Sequence, residues 1–170
     1  MTAVREPLRL RPPRYRVDPA ARRWWTVQAL CCVTAPAFVV AGTMATLSLL
    51  FFPGALFWLG PLLLGVLVLP SLGYLLVMPP WRYRVHAWEL GERAVYSASG
   101  WFWQRRRITP LGKVQTVDTE IGPLQRRYGL ATVIVTTAST AGDVRVEGLA
   151  QDEADELARR IGEAAEVEEA

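Results

Sequence analysis

The side chains with the clearest chemical character lie together in one short stretch. It consists of Trp101, Phe102, Trp103, Arg105, Arg106 and Arg107. Indole rings favour the headgroup level of a bilayer, and guanidinium groups match the geometry of phosphates. Strand alternation would place Arg106 on the opposite face from Arg105 and Arg107. The stretch predicts contact with lipid or with a partner, and the alternative is that the rings pack a sheet while the arginines face solvent.

A second basic pair, Arg126 and Arg127, precedes Tyr128 and Gly129 in a predicted turn. Its guanidinium groups could extend the same candidate contact surface. The alternative is that the pair only caps a loop.

The residue types needed for catalysis do not form a recognisable set. His86 is the only histidine, in a stretch predicted to be a strand, and is expected to pack or face solvent. Asp118 and Glu120 could pair on one strand face, but neither a nucleophile nor a glycine-rich phosphate loop accompanies them. Cys31 and Cys32 are adjacent and apolar in context, without metal-ligand spacing. The sequence predicts no enzyme, cofactor, metal or small-molecule substrate.

An uncharged block dominates the first half of the chain. From Trp24 through Trp81 there is no Asp, Glu, Lys or Arg, whereas one membrane helix needs only about 20 apolar residues. Phe52, Pro53 and Gly54 form the only plausible reversal within it. We therefore predict a transmembrane hairpin over residues 26–78, with spans at about 26–52 and 56–78.

The flanks of this block predict its orientation. The expected interface anchors are Arg22, Arg23, Trp24, Trp25, Trp81, Arg82 and Arg84. Positive residues flank both outer ends and none lies in the connecting loop, so both termini are predicted to be cytoplasmic, in the plasma membrane. A cleaved signal peptide is the competing interpretation, but the apolar run is too long and a second span follows at once.

Charge is distributed unevenly along the chain. Residues 1–25 carry seven arginines against two acids, residues 81–149 are net positive by four, and residues 150–170 are net negative by six. The proline-rich segment 1–25 is predicted to be a basic cytoplasmic arm, flexible or extended. Such a distribution suits anionic headgroups, although juxtamembrane arginines can also serve topology alone.

Behind the hairpin the pattern changes to short strands. Alternation and turn residues predict strands over residues 82–87, 94–99, 101–108, 114–121 and 144–147, with a break at Gly122 and Pro123 and a hairpin turn at residues 140–143. A high content of Val, Ile and Thr predicts a further strand over residues 130–137. The helical spacing of Ala154, Leu157, Ala158, Ile161 and Ala165 predicts a closing helix. The expected domain, residues 81–165, is an antiparallel sandwich or half-barrel, and residues 166–170 are expected to be a frayed acidic tail.

These residues, in this order, resemble a known family. The likeness rests on Trp101-Phe102-Trp103, Pro110-Leu111, Val114-Gln115-Thr116-Val117, Gly122-Pro123-Leu124-Gln125-Arg126, Gly129-Leu130-Ala131-Thr132 and Glu147-Gly148-Leu149. In these motifs and in their order, the chain is similar to bacterial pleckstrin-homology (PH) domain membrane proteins of the YdbS-like type. The resemblance implies a basic arm, two spans and an α+β PH-like domain, which is a bent antiparallel sheet or half-barrel with a C-terminal helix. It brings no catalytic residues.

The function predicted from these observations is non-enzymatic. The first hypothesis is a membrane-anchored scaffold or adaptor that binds a protein partner or further copies of itself. The alternative is a module that senses anionic lipid headgroups at the inner leaflet. Nucleic acid is not expected as a partner, because the basic residues match no nucleic-acid module and the domain is tethered close to the bilayer.

Overall fold

Two long helices dominate the first half of the molecule. The computed structural model describes residues 13–137 and 142–169, with side chains described as far as residue 165. The first long helix is Ala20–Phe51 and the second long helix is Pro53–Val85. Both are long and apolar enough to cross a membrane, with mean hydropathies of 1.8 and 2.2. The predicted pair of apolar helices is confirmed, with Phe52 at the reversal.

Both helices extend past the predicted spans on the side of the β-domain. The predicted strand over residues 82–87 is wrong, because the second long helix continues through Pro79 and Pro80 as far as Val85. Proline normally ends a helix by removing a hydrogen-bond donor. Here the extension packs against the first long helix, since Met78 is buried and the His86 ring lies 4.9 Å from that of Trp25. This tertiary packing offsets the lost helical hydrogen bonds.

The β-domain contains two antiparallel sheets. The first has the order β1-β2-β3-β4, with β1 at Tyr15–Arg16, β2 at Ala87–Leu90, β3 at Ala94–Ser99 and β4 at Arg105–Pro110. The second has the order β5-β6-β7, with β5 at Val114–Glu120, β6 at Leu130–Thr137 and β7 at Val144–Ala150. The C-terminal helix is Gln151–Glu169. Among the described residues the strands do not close into a barrel, and the predicted PH-like architecture is confirmed.

The core of the domain lies between the sheets and the C-terminal helix. Its fully buried side chains include Val95 from the first sheet, Val133 and Leu149 from the second, and Leu157 and Ile161 from the helix. Alternation on the strands and a three-to-four-residue spacing on the helix bring these apolar groups to one side of each element. The strand at 130–137, predicted from its Val, Ile and Thr content, and the closing helix, predicted from its helical periodicity, are both present.

Several element boundaries differ from the predictions. Residues 101–103 form a bend and β4 begins only at Arg105, because Gly100 makes a tight turn with a φ of 105°. Pro123–Arg127 is a short helix where only a break was predicted. The last strand continues to Ala150, and the C-terminal helix continues to Glu169 through the expected frayed tail. Of the predicted hairpin turn at 140–143, residues 140 and 141 lie outside the described residues, as do residues 1–12 of the basic arm.

A second apolar cluster joins the helices to the domain, and we call it the junction. It contains Ala21 and Trp25 from the first long helix, Met78 from the second, Val17 before them and Leu130 from β6. The Asp18 backbone N–H also donates to the Gly148 carbonyl at 2.9 Å. The domain is therefore packed directly on the ends of the helices and is not held at a distance by a linker.

Candidate lipid-facing site

The aromatic loop, which we define as Trp101, Phe102 and Trp103, lies against the second long helix. The Trp101 ring meets the Tyr74 ring edge-on, with centroids 5.3 Å apart and planes at 85°. Phe102 and Trp103 are 74% and 78% exposed and meet each other edge-on at 5.6 Å. One ring thus holds the loop on the helix, and the two rings beyond it are presented outward.

Gly100 is the residue that makes this arrangement possible. A Cβ at this position would lie 1.9 Å from the Trp103 carbonyl oxygen, and its φ of 105° suits only glycine. The chain therefore reverses at the end of β3 closely enough for Trp101 to reach Tyr74. Tyr74 was missed by the sequence reasoning, although it is the only tyrosine between residues 24 and 81.

Arg106 and Arg107 lie on opposite faces of β4, as strand alternation predicts, whereas Arg105, the first residue of the strand, lines a cavity on each side. Arg106 lines a cavity of about 310 Å³ together with Arg16, Arg84 and Arg105, and we call it the arginine pocket. No carboxylate lines it among the described residues. Arg16 was missed as a site residue, because nothing in the sequence of the arm distinguishes it from the neighbouring arginines.

Arg107 is on the other face and has a structural role. Its guanidinium donates to the carbonyl oxygens of Gly142 and Asp143 at 2.9 and 2.8 Å. Arg105, Arg107 and Arg145 line a cavity of about 220 Å³ that also contains Asp143 and Glu147, so its charge is mixed.

Arg126 and Arg127 are exposed at the end of the short helix. The Gln125 side chain holds this helix in place, accepting from the Gly122 N–H at 2.8 Å and donating to the Thr132 hydroxyl at 2.7 Å. Within the described residues, no hydrogen bond or ring contact joins either arginine to the aromatic loop. The two predicted patches are not brought together by a direct contact.

Three of the predicted interface anchors face the interior and not the surface. Trp25 is fully buried in the junction and Trp24 is 9% exposed, so neither indole is presented to headgroups. The reason is that the β-domain covers this end of the helices. Arg82 is also turned inward, where its guanidinium lies 4.7 Å from the centroid of the Trp25 ring and pairs with Glu147.

The other predicted anchors remain on the surface. Arg22 and Arg23 line a shallow depression of about 370 Å³ with Tyr83, Trp81 is 49% exposed, and Arg84 is exposed beside the arginine pocket. Their roles as interface anchors stay a prediction.

His86 lies at the centre of the junction. Its ring contacts Trp25, and its Nδ1 is 2.9 Å from the Arg82 carbonyl oxygen. Burial lowers the pKa of His86 below its usual value. The hydrogen bond to the Arg82 carbonyl and the charge of Glu147 act against this shift, whereas the charge of the Arg82 guanidinium acts with it. In this environment the ring is a neutral packing group.

The carboxylates considered above as a pair lie apart from this site. Asp118 and Glu120 are exposed on β5, where the Thr116 hydroxyl lies 3.4 Å from an Asp118 oxygen. Over the described part of the chain, no three His, Cys, Asp or Glu side chains are grouped so that they could hold a metal ion.

An apolar helix hairpin packed directly on a bent antiparallel β-domain with a C-terminal helix defines a membrane protein of the PH-like class. The family model described as "Bacterial PH domain" matches residues 36–165. The chain is also similar to the UPF0699 transmembrane protein YdbS of Bacillus subtilis (strain 168), with 32% identity over 156 residues that cover 91% of this chain and 94% of that protein. The chain therefore belongs to the bacterial PH domain family, which is not a known enzyme family. No solved structure gives a significant match.

Proposed function

We propose that this protein holds its PH-like domain against the inner leaflet of the plasma membrane, where the aromatic loop contacts lipid. Both termini are cytoplasmic in this proposal, in keeping with the arginines that flank the outer ends of the hairpin. The observation that carries it is the contact between Trp101 and Tyr74, because it ties the loop to a helix that is apolar enough to span the bilayer.

The depth of Tyr74 supports this proposal. The hydrocarbon of a bilayer is about 30 Å thick, which corresponds to about 20 helical residues. Counted from the reversal at Phe52, that length ends near Leu30 on the first long helix and near Tyr74 on the second. Apolar side chains are exposed along this band, as at Phe57 (76%). Their exposure continues just past Tyr74 at Leu76 (73%) and Val77 (52%), and Met78 is then buried at 2%.

The aromatic loop then lies at the edge of the hydrocarbon. Aromatic rings are favoured at this level because they place an apolar body in lipid while indole N–H groups stay near water. Two rings that are about three-quarters exposed beside such a helix would be costly to leave in water. Insertion of Phe102 and Trp103 into the leaflet accounts for their exposure.

A scaffold or adaptor is the second candidate, and a different surface favours it. Within the described residues β5 pairs with β6 alone, so its outer edge has backbone groups without a strand partner. An open edge of this kind can accept a strand from another protein or from a second copy of the chain. Ile121, just beyond β5, is 45% exposed and would be covered by such a partner.

Depth-dependent fluorescence of the full chain in vesicles separates these two functions. Cys31 and Cys32 are replaced by alanine, and an environment-sensitive fluorophore is attached at Trp103→Cys or, as the control, at Lys113→Cys. Lys113 is exposed at the opposite end of the β3–β4 hairpin. We expect a blue-shifted emission at position 103 that spin-labelled lipids quench, and neither effect at position 113.

Two results of this experiment would count against the proposal. A fluorophore at position 103 that is as water-exposed as the one at position 113 would overturn the proposal. An emission that is blue-shifted at position 103 only at high protein density, without quenching by spin-labelled lipid, would favour a partner or a second copy in its place.

A further inference from the structure

We propose that the arginine pocket binds the phosphate group of an anionic lipid headgroup. This inference rests on the proposed function, since it requires the domain to face the inner leaflet. It adds a ligand class and a set of residues, Arg16, Arg84, Arg105 and Arg106, to a surface that was otherwise defined only by its aromatic loop.

The pocket is built by the register of the first sheet. Arg16 lies opposite Ala87, Ala87 opposite Ala98, and Ala98 opposite Arg106, so the four residues form one row across β1, β2, β3 and β4. Directly paired residues point to the same face of a sheet. The row therefore has a long basic side chain at each end and two small alanines between them.

The alanines leave the room that a ligand needs. Neighbouring strands are about 4.8 Å apart, so two methyl side chains side by side form a low floor between the flanking arginines. The resulting cavity of about 310 Å³ is at the lower end of the range for small-molecule sites. Arg84 closes it from the end of the second long helix, and Arg105 lies on its side nearest the aromatic loop.

The described residues supply no acidic partner for the positive charge of the pocket. Within the described parts of the chain, none of Arg16, Arg84, Arg105 and Arg106 belongs to an ion pair. Other arginines of the domain do pair, as Arg82 does with Glu147. Like charges gathered in a concave site repel one another, and a bound anion removes the free-energy cost of this repulsion.

The chemistry of four guanidinium groups favours phosphate over other anions. Each guanidinium can donate two parallel hydrogen bonds to phosphate oxygens, which gives geometric selectivity as well as attraction. The neighbouring cavity lined by Arg105 and Arg107 also contains Asp143 and Glu147, whose negative charges disfavour an anion there. A phosphate would therefore select the arginine pocket.

The position of the pocket favours a lipid as the source of the phosphate. Arg105 and Gln104 line it, and they follow the aromatic loop directly in sequence. Arg84 belongs to the last turn of a helix that enters the apolar band at Tyr74. A headgroup phosphate is thus within reach on the membrane side, and its acyl chains remain in the leaflet beside Phe102 and Trp103.

Binding of defined probes to the purified full chain tests this inference. The probes are dioctanoyl phosphatidic acid, dioctanoyl phosphatidylglycerol and inorganic phosphate, measured by titration calorimetry in a neutral detergent. We expect the lipids to bind, and Arg106→Gln and Arg84→Gln each to weaken that binding about tenfold, as the loss of a charge-assisted contact implies. Arg93→Gln, which changes an exposed arginine in the turn between β2 and β3, is the matched control and should bind as the unmodified chain does.

The results that would overturn the inference are distinct. Unchanged lipid affinity in both pocket variants, with thermal unfolding like that of the unmodified chain, would show that the pocket is not the site. An equal loss of lipid affinity in Arg93→Gln would show unspecific electrostatic attraction. Inorganic phosphate that binds as tightly as the lipids and competes with them would make the site one for a soluble anion.

Failure here is separable from failure of the proposed function. If the pocket variants bind lipid normally while the fluorophore at position 103 stays in the leaflet, only the pocket assignment fails. If the fluorophore is in water, the proposed function fails irrespective of the calorimetry.

Discussion

The guanidinium of Arg82 lies 4.7 Å from the centroid of the Trp25 ring, and it is one of the contacts that join the ends of the two long helices. The same guanidinium pairs with Glu147 on β7. Three elements that are distant in sequence thus meet at one side chain. The junction therefore fixes the orientation of the β-domain relative to the two long helices.

Replacing Arg82 with alanine should destabilise the junction. The change removes a cation–π contact and an ion pair that are only partly exposed, and we expect a loss of about 2 kcal/mol in the free energy of unfolding. Thermal unfolding in detergent, followed by near-ultraviolet circular dichroism, measures it. The free energy of unfolding of Arg82→Lys should lie between those of the unmodified chain and of Arg82→Ala, because lysine keeps the charge but lacks the planar group that stacks on Trp25. Arg23→Ala is the control, and an equal loss there would contradict the prediction.

Gly148 should be intolerant of any side chain, because the first long helix packs directly on it. A Cβ there would lie 2.8 Å from the Ala21 Cβ, at a φ of 80°. Gly148→Ala should therefore cost about 3 kcal/mol, from backbone strain and overpacking together. Gly129→Ala is the matched variant, since Gly129 has a φ of 65° and nothing within 4 Å of its Cβ position. Equal melting temperatures in the two variants would show that the contact with Ala21 contributes nothing.

The stability of the junction should fall on mild acidification. Burial lowers the pKa of His86 from its ordinary 6.5, so between that value and the lower pKa of the folded protein the unfolded chain binds a proton that the folded chain does not. The contribution of neutral His86 to the free energy of unfolding is complete above pH 6.5 and is lost as the pH falls below that value. Melting temperatures between pH 7.5 and 5.5 measure the effect.

His86→Asn provides the control for this pH dependence. An asparagine amide can still donate to the Arg82 carbonyl but does not titrate, so the slope between pH 7.5 and 5.5 should flatten. The charged groups that act on the imidazole are Arg82, which lowers its pKa, and Glu147, which raises it. Glu153 acts in the opposite sense, because burial raises its pKa and protonation there stabilises the folded state. An unchanged slope in His86→Asn would remove His86 as the cause.

The hairpin should place its connecting loop outside the cell. In a Cys31→Ala/Cys32→Ala background, Gly54→Cys should react with a membrane-impermeant maleimide in intact cells. Arg159→Cys, on the exposed side of the C-terminal helix, should react only after the membrane is opened. Labelling of Arg159→Cys in intact cells would reverse the proposed orientation.

Local sequence patterns were sufficient to predict those elements in which all residues on one face have the same environment, lipid or the protein core. An uncharged block more than twice as long as one membrane span needs has no stable place except as two apolar helices. The high content of Val, Ile and Thr in residues 130–137 predicts β6 as the structure has it. The same reasoning failed at residues 82–87. There an alternating pattern lies on a helix, because Met78, Arg82 and His86 recur every fourth residue and all three pack into or against the junction.

The tertiary structure alone decided which of these residues meet. Whether Trp25 faces lipid or is buried depends on the β-domain that covers it, and whether Trp101 reaches Tyr74 depends on the turn at Gly100 and on the docking of the whole sheet. The arginine pocket shows the reason most clearly. Arg16 and Arg106 become neighbours across Ala87 and Ala98 only through strand register. Register is set by pairing and packing between distant segments, whereas apolarity and periodicity can be read from each segment separately.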